Sequence, residues 1–141
     1  MIVSNAVRPT PENIQAFIQS DFYGPVCMLN LLRFKDTAAY ADGRQTDLSG
    51  AAAYQLYGDQ MLPFVASRGG RFIFAGSADH LIIGELEDKW DSVAIVEYPS
   101  KEAFAQIVMA PEVREFSVHR AAGLDGQLLI AMSQMGTLTG S

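Results

Sequence analysis

The spacing of apolar residues changes along this chain, and each change predicts a new element. Residues 93–98 alternate with a period of two and are rich in β-branched side chains, which predicts a strand. Pro99 ends that strand, Ser100 is a favourable N-cap, and apolar residues then recur at helical spacing over 103–108. The chain therefore passes directly from a strand into a helix.

Apolar patterns and turn residues elsewhere predict the remaining elements. Thr10 and Pro11 are suited to begin a helix. In chain order, we predict an N-terminal helix over 11–20, a strand over 26–34, a long helix over 49–68, a second strand over 71–75 and 81–84 interrupted near Gly76, a short helix from Pro111, a turn over 123–126, a fourth strand over 127–132 and a short tail over 133–141.

After the N-terminal helix, the predicted order is β-α-β-β-α-β. Right-handed crossovers give an α+β, ferredoxin-like fold, with a four-stranded antiparallel sheet in the order 4-1-3-2 and both main helices on one face. The first and third strands are apolar on both faces, so we expect a second copy to cover the other face as a homodimeric α/β barrel. We expect one domain over 1–141, with its core over 26–132.

Composition excludes several classes of partner. The 141 residues carry a net charge of −6, and their few basic residues are scattered, which disfavours nucleic acid. No apolar run approaches the roughly 18 residues needed to cross a bilayer, and no signal-peptide pattern is visible. The single cysteine, Cys27, lies in an apolar run and fits a reducing compartment. We therefore expect a cytoplasmic protein without a membrane partner.

Residue types that could form a metal or phosphate site are too few or too far apart in this sequence. His80 and His119 have no histidine or cysteine at a ligand spacing, so we expect no metal site and no bound cofactor. Gly69 and Gly70 are better explained as the end of a helix than as a phosphate loop.

Two polar residues within apolar strands are candidates for chemistry. Asn30 would orient a carbonyl or an enolate, or its amide would only bridge neighbouring backbone or a dimer partner. Glu97 would act as a general acid or base in an apolar cleft, or it would form a structural ion pair with Arg33 or Arg120. We predict that Glu97 and Arg120 are partners, with Asn30 or His119 within reach.

Further candidates lie on the helices and strand ends. His119 would shuttle a proton, or it would only contact Glu115 on the protein surface. Arg120 would bind a carboxylate or enolate oxygen, and Arg33 is a second candidate for substrate binding. Two tyrosines on the long helix, Tyr54 and Tyr57, contribute either to the core or to a substrate site.

Several segments resemble a known family. The matching segments are MLNLLRF at 28–34, GGR at 69–71, VAIVEYPS at 93–100, Ala103-Phe104 and His119-Arg120. Together they resemble uncharacterised bacterial proteins, a conserved domain of unknown function within the dimeric α/β-barrel superfamily. This resemblance spans about residues 26–132 and implies the fold and a homodimer, but no activity.

The wider superfamily includes cofactor-free monooxygenases, lactone isomerases and haem-degrading enzymes. The haem-degrading members use an asparagine on the first strand, a tryptophan and a histidine. Asn30 matches that pattern, but Ile107 and Ser117 occupy the positions expected for the tryptophan and the histidine, and Trp90 lies in the wrong element. The resemblance therefore does not extend to haem.

Two functional hypotheses remain. In the first, the protein is a cofactor-independent enzyme, of isomerase or monooxygenase type, that transfers a proton on a small apolar carbonyl or phenolic metabolite. Asn30 would polarise the substrate, Glu97 or His119 would move the proton, and Arg120 would hold an anionic oxygen. In the second, the protein is a non-catalytic dimeric module that binds a small apolar or anionic metabolite or serves as a scaffold.

Overall fold

The computed structural model describes residues 6–135. Its elements are α1 (Pro11–Gln19), β1 (Val26–Phe34), α2 (Gly50–Ser67), β2 (Arg71–Ser77), β3 (Ser92–Tyr98), α3 (Lys101–Val108), α4 (Pro111–Gly123) and β4 (Leu124–Met132). The four strands form one antiparallel sheet in the order β2-β3-β1-β4, which confirms the predicted ferredoxin-like α+β topology. Most of the predicted tail, residues 136–141, lies outside the described residues.

Side-chain caps set the beginnings of the helices where the sequence indicated. The Thr10 hydroxyl accepts a hydrogen bond from the Asn13 amide at 3.1 Å, and Pro11 occupies the first turn of α1. The Ser100 hydroxyl likewise accepts from the Ala103 amide at 3.0 Å at the start of α3. Each cap satisfies an amide that the helix itself leaves without a partner.

Alternation along β1 divides the sheet into two faces. Val26 and Met28 pack against the helices in the main core, together with Met61 of α2, Phe104 of α3 and Val113 of α4. The residues between them, with their partners on β3 and β4, point away from the helices. We call this second surface the open face; its apolar members include Leu29, Leu31, Val93, Ile95, Leu128 and Ile130.

Two local predictions were wrong. Residues 81–84 are not part of β2, because β2 and β3 pair only as far as Ser77 and Ser92, and 78–91 form a loop between them. Residues 123–126 are not a turn, because α4 continues to Gly123 and β4 begins at Leu124, which is buried. No helix in the described residues, 6–135, is long and apolar enough to cross a membrane.

Two glycines allow α2 and α4 to pack closely. A side chain on Gly123 would place its Cβ 2.3 Å from the Gly50 carbonyl oxygen, and one on Gly50 would place its Cβ 2.1 Å from the Lys35 carbonyl oxygen. Because neither glycine has a side chain, two backbone hydrogen bonds form here. The Lys35 amide donates to the Gly123 carbonyl oxygen at 2.8 Å, and the Gly50 amide donates to the Lys35 carbonyl oxygen at 3.0 Å. This contact fixes the position of α4 over the sheet.

We expect the variant Gly123→Ala to lower the free energy of unfolding by about 2–3 kcal/mol, because its Cβ would overlap backbone atoms that cannot move aside. Gly58→Ala is the matched control in α2, where an added Cβ meets nothing within 4 Å, and it should gain about 0.5–1 kcal/mol. Urea denaturation measures both. A Gly123→Ala variant as stable as the native protein would contradict the close packing.

Candidate functional site

A chain of three polar side chains connects the sheet to the helix layer. Asn30 lies at the middle of β1, Gln127 lies on β4 and Arg120 lies on α4. The Gln127 amide donates to the Asn30 side-chain oxygen at 2.8 Å, and the Arg120 guanidinium donates to the Gln127 side-chain oxygen. Asn30 and Arg120, both predicted from the sequence, are thus brought together through Gln127.

Asn30 is held from three sides. Its Nδ2 donates to the carbonyl oxygens of Met28 and Ala94, at 3.3 Å in each case. Its Oδ1 accepts from Gln127. Asn30 therefore bridges neighbouring backbone, and the same bonds fix the orientation of Gln127 towards Arg120.

Among the described residues, no acid neutralises the charge of Arg120. Within residues 6–135, no carboxylate forms an ion pair with its guanidinium. Burial lowers the pKa of Arg120 from its ordinary value, and repulsion from Arg8 acts in the same direction. A desolvated cation of this kind gains most from an anionic or strongly dipolar partner.

The two predicted tyrosines lie near Arg120. The rings of Tyr54 and Tyr57 pack with their centroids 5.4 Å apart, and both interact electrostatically with the guanidinium. Burial raises the pKa of each tyrosine above its usual value, so both hydroxyls stay protonated at neutral pH. They add dipoles around Arg120 without neutralising its charge.

Arg120 and Gln127 line a cavity of about 310 Å³, which we call the N-terminal cavity. The cavity lies between the segment before α1, α1 itself, α3 and the helix-facing side of β1 and β4. Its polar wall includes Arg8, Asn13, Arg120 and Gln127. Its apolar wall includes Val7, Ile14, Phe17, Met28, Phe104, Leu129 and Ala131.

Glu97 lies on the other side of the sheet, so the predicted Glu97–Arg120 pair is wrong. Residue 97 shares the parity of the open face, where its carboxylate accepts from Arg71 at 2.8 Å. That hydrogen bond lowers the pKa of Glu97, which keeps it ionised. Glu97 does form an ion pair, but its partner is Arg71 and not Arg33 or Arg120 as predicted.

Cys27 lies beside Glu97 on the open face, with its sulfur 3.8 Å from the carboxylate. Burial raises the pKa of this thiol, and the charge of Glu97 raises it further. Cys27 is therefore poorly suited to act as a nucleophile.

The two remaining candidates lie away from the N-terminal cavity. His119 does not contact Glu115 as predicted; its Nδ1 lies 2.7 Å from the Tyr40 hydroxyl, above a small cluster that includes Ala53 and Ala122. Arg33 forms ion pairs with Asp88 at 3.2 Å and Asp125 at 3.0 Å. Both side chains have protein partners that account for their positions.

A second cavity, of about 660 Å³, lies at the open face. It is bounded by Leu31 and Leu128 of the sheet and by residues of the 78–91 loop, including Leu81, Leu86 and Trp90. Nowhere in the described part of the chain do three histidine, cysteine or acidic side chains form a group that could hold a metal ion.

Three residues of the N-terminal cavity were missed from the sequence. Gln127 had a usable signal, because it is a polar residue with the same alternation as Leu129 and Ala131 on the fourth strand. Arg8 and Asn13 had none, because the N-terminal segment shows no pattern that connects it to the sheet. Their place at the cavity follows only from the tertiary structure.

Comparison with known proteins identifies the family. Residues 32–134 match the family model of DUF1330, a domain of unknown function. The chain belongs to this family. The resemblance seen in the sequence is thereby confirmed, and no curated protein matches the chain.

Solved structures agree with this assignment. A protein of unknown function from Rhodopseudomonas palustris, RPA0582, is 34% identical, covers 95% of this chain and 100% of its own, and superposes with a TM-score of 0.85. SnoaB from Streptomyces nogalater, a cofactor-independent oxygenase, is 14% identical over 82% of this chain and 97% of its own, with a TM-score of 0.54. A dabb family protein with a ferredoxin-like fold from Mesorhizobium loti is 12% identical over 80% and 99%, with a TM-score of 0.50. The last two show the fold alone.

Proposed function

We propose that the protein binds a small, mostly apolar metabolite in the N-terminal cavity and holds an oxygen atom of that metabolite at Arg120. The observation that carries this proposal is the partly buried guanidinium, which lines a cavity and has no carboxylate partner within residues 6–135. Burying a cation is costly, and a ligand oxygen would recover part of the interaction that burial removes.

The walls of the N-terminal cavity support a compact ligand. Its volume of about 310 Å³ lies at the lower end of the roughly 300–1,000 Å³ typical of ligand cavities. Ile14, Phe17 and Phe104 offer an apolar surface for the body of the ligand. A few fixed polar groups within apolar walls are the usual composition of a small-molecule site.

Filling the N-terminal cavity should abolish binding. We expect the neutral probe 2-naphthol to bind the native protein, and Ala131→Phe to weaken binding by at least about tenfold, because a large side chain would occupy the space of the ligand. Ala51→Phe is the control, at an exposed position on α2. Calorimetric titration measures binding, and circular dichroism checks the fold. Equal binding by both variants, or none by the native protein, would contradict the proposal.

A second candidate function is cofactor-independent proton transfer at the same cavity. In this candidate, a proton leaves the carbon next to a ligand carbonyl and passes to solvent water, while the electron pair moves to the oxygen beside Arg120. The hydrogen bonds from Asn30 through Gln127 to Arg120 support it, because they hold the guanidinium in place, and a fixed donor beside a developing oxyanion lowers the barrier. SnoaB, described as a cofactor-independent oxygenase, indicates that catalysis without a cofactor is compatible with this fold.

Exchange in deuterium oxide tests this candidate. We expect the native protein to accelerate exchange of the α-protons of 2-tetralone, followed by proton magnetic resonance, and Arg120→Met to reduce the acceleration by about 100-fold through loss of oxyanion stabilisation. The control Arg114→Met changes an exposed arginine on the same helix, outside the cavity walls, and should keep the native rate. Equal rates for these two variants would contradict a role for Arg120.

We also propose that a second copy of the chain covers the open face. Leu29, Leu31 and Ile95 lie on this face without helices over them, and neighbouring side chains such as Phe74 and Ile130 are 53% and 46% exposed. Ile82 and Ile83 of the 78–91 loop, next to the second cavity, are 86% and 88% exposed. A continuous apolar surface of this extent is typical of a protein interface.

We expect the native protein to be a dimer at micromolar concentration, so its mass in sedimentation measurements should be twice that of one chain. Ile95→Lys, at the centre of the open face, should give a monomer or an aggregate, because burying an unpaired ammonium between two sheets is costly. Val118→Lys, at an exposed position on α4, should remain dimeric. A native protein that sediments as a folded monomer would refute the proposed dimer.

A further inference from the structure

The described part of the wall of the N-terminal cavity has two arginines and no acid. Arg8 lies in the segment before α1, and Arg120 lies on α4. None of the described residues that line the cavity is an aspartate or a glutamate, and neither arginine forms an ion pair with a carboxylate elsewhere in 6–135. Two uncompensated cations around one apolar space produce a positive potential inside it.

The position of Arg8 is fixed on both sides. Two residues before it, the Ala6 carbonyl oxygen accepts a hydrogen bond from the backbone amide of Gln127 at 2.8 Å. Two residues after it, Thr10 caps α1 through the Asn13 amide. Because Pro9 further restricts the short backbone between these two anchors, the backbone of the exposed Arg8 stays beside the cavity that it lines.

Gln127 connects both arginines to the sheet. Its backbone amide holds the segment that carries Arg8, and its side chain accepts from Arg120 and donates to Asn30. Gln127 therefore anchors both the backbone segment that carries Arg8 and the guanidinium of Arg120. A pair of arginines fixed in this way favours a planar anion, since each guanidinium can donate two hydrogen bonds to a carboxylate.

We propose that the ligand of the N-terminal cavity is a monocarboxylate with a compact apolar body, and that Arg8 and Arg120 together bind its carboxylate. This inference rests on the proposed binding function and names its ligand class. A carboxylate relieves the repulsion between the two cations, whereas a neutral carbonyl compound leaves that repulsion in place. The apolar wall formed by Ile14, Phe17 and Phe104 requires a ligand larger than a free inorganic anion.

Matched probes separate charge from shape. The acid 2-naphthoate and the amide 2-naphthamide have nearly the same size and differ in charge. In calorimetric titrations at neutral pH, we expect the native protein to bind 2-naphthoate at least about tenfold more tightly than 2-naphthamide, and inorganic phosphate to compete weakly. Added salt should weaken binding of the acid and leave binding of the amide unchanged.

The variant Arg8→Gln should reduce the preference for the acid to less than about threefold, with the affinity for 2-naphthamide unchanged. Arg114→Gln removes an exposed arginine that does not line the cavity, and should keep the native preference. Equal native affinities for acid and amide, equal loss of both in Arg8→Gln, or strong competition by phosphate would each overturn the inference. In those cases the binding of 2-naphthol and its loss in Ala131→Phe would still stand, so the two proposals fail separately.

Discussion

The alternation of side chains along β1 is the constraint on which the rest of the molecule depends. Successive residues of a strand point to opposite faces, so Asn30 must face the helices while Leu29 and Leu31 must face away from them. β1 is central in the sheet, and its two neighbours continue the same division. A single strand thus contributes Asn30 to the chain of polar side chains on one face and an apolar, uncovered surface on the other.

The fold was predictable because its signals are local. The change from period two to helical spacing near Pro99, the caps at Thr10 and Ser100 and the order of the elements were sufficient to indicate the sheet and its strand order. The two wrong predictions concern the ends of β2 and α4, which depend on contacts with other parts of the chain. β2 stops at Ser77 because β3 begins at Ser92, and α4 continues to Gly123 because Gly50 leaves room for it.

The site was less predictable because it depends on faces and on distant contacts. Glu97 follows the alternation of Val93 and Ile95, but alternation alone does not say which face the helices cover, and Arg71 is its partner through the register of β2 on β3. His119 and Arg120 are neighbours in sequence, but adjacent helical residues point in directions about 100° apart. One of them therefore meets Tyr40, and the other reaches Gln127.

The contact between Ala6 and Gln127 has a consequence for assembly as well as for the cavity. β4 is an edge strand, and an edge strand offers free backbone groups that can extend a sheet into another molecule. In the N-terminal segment, the Ala6 carbonyl oxygen accepts a hydrogen bond from the outward-facing backbone amide of Gln127, at that edge of the sheet. Growth of the sheet by strand addition is thereby obstructed at this border, which leaves association through faces as the route open to the protein there.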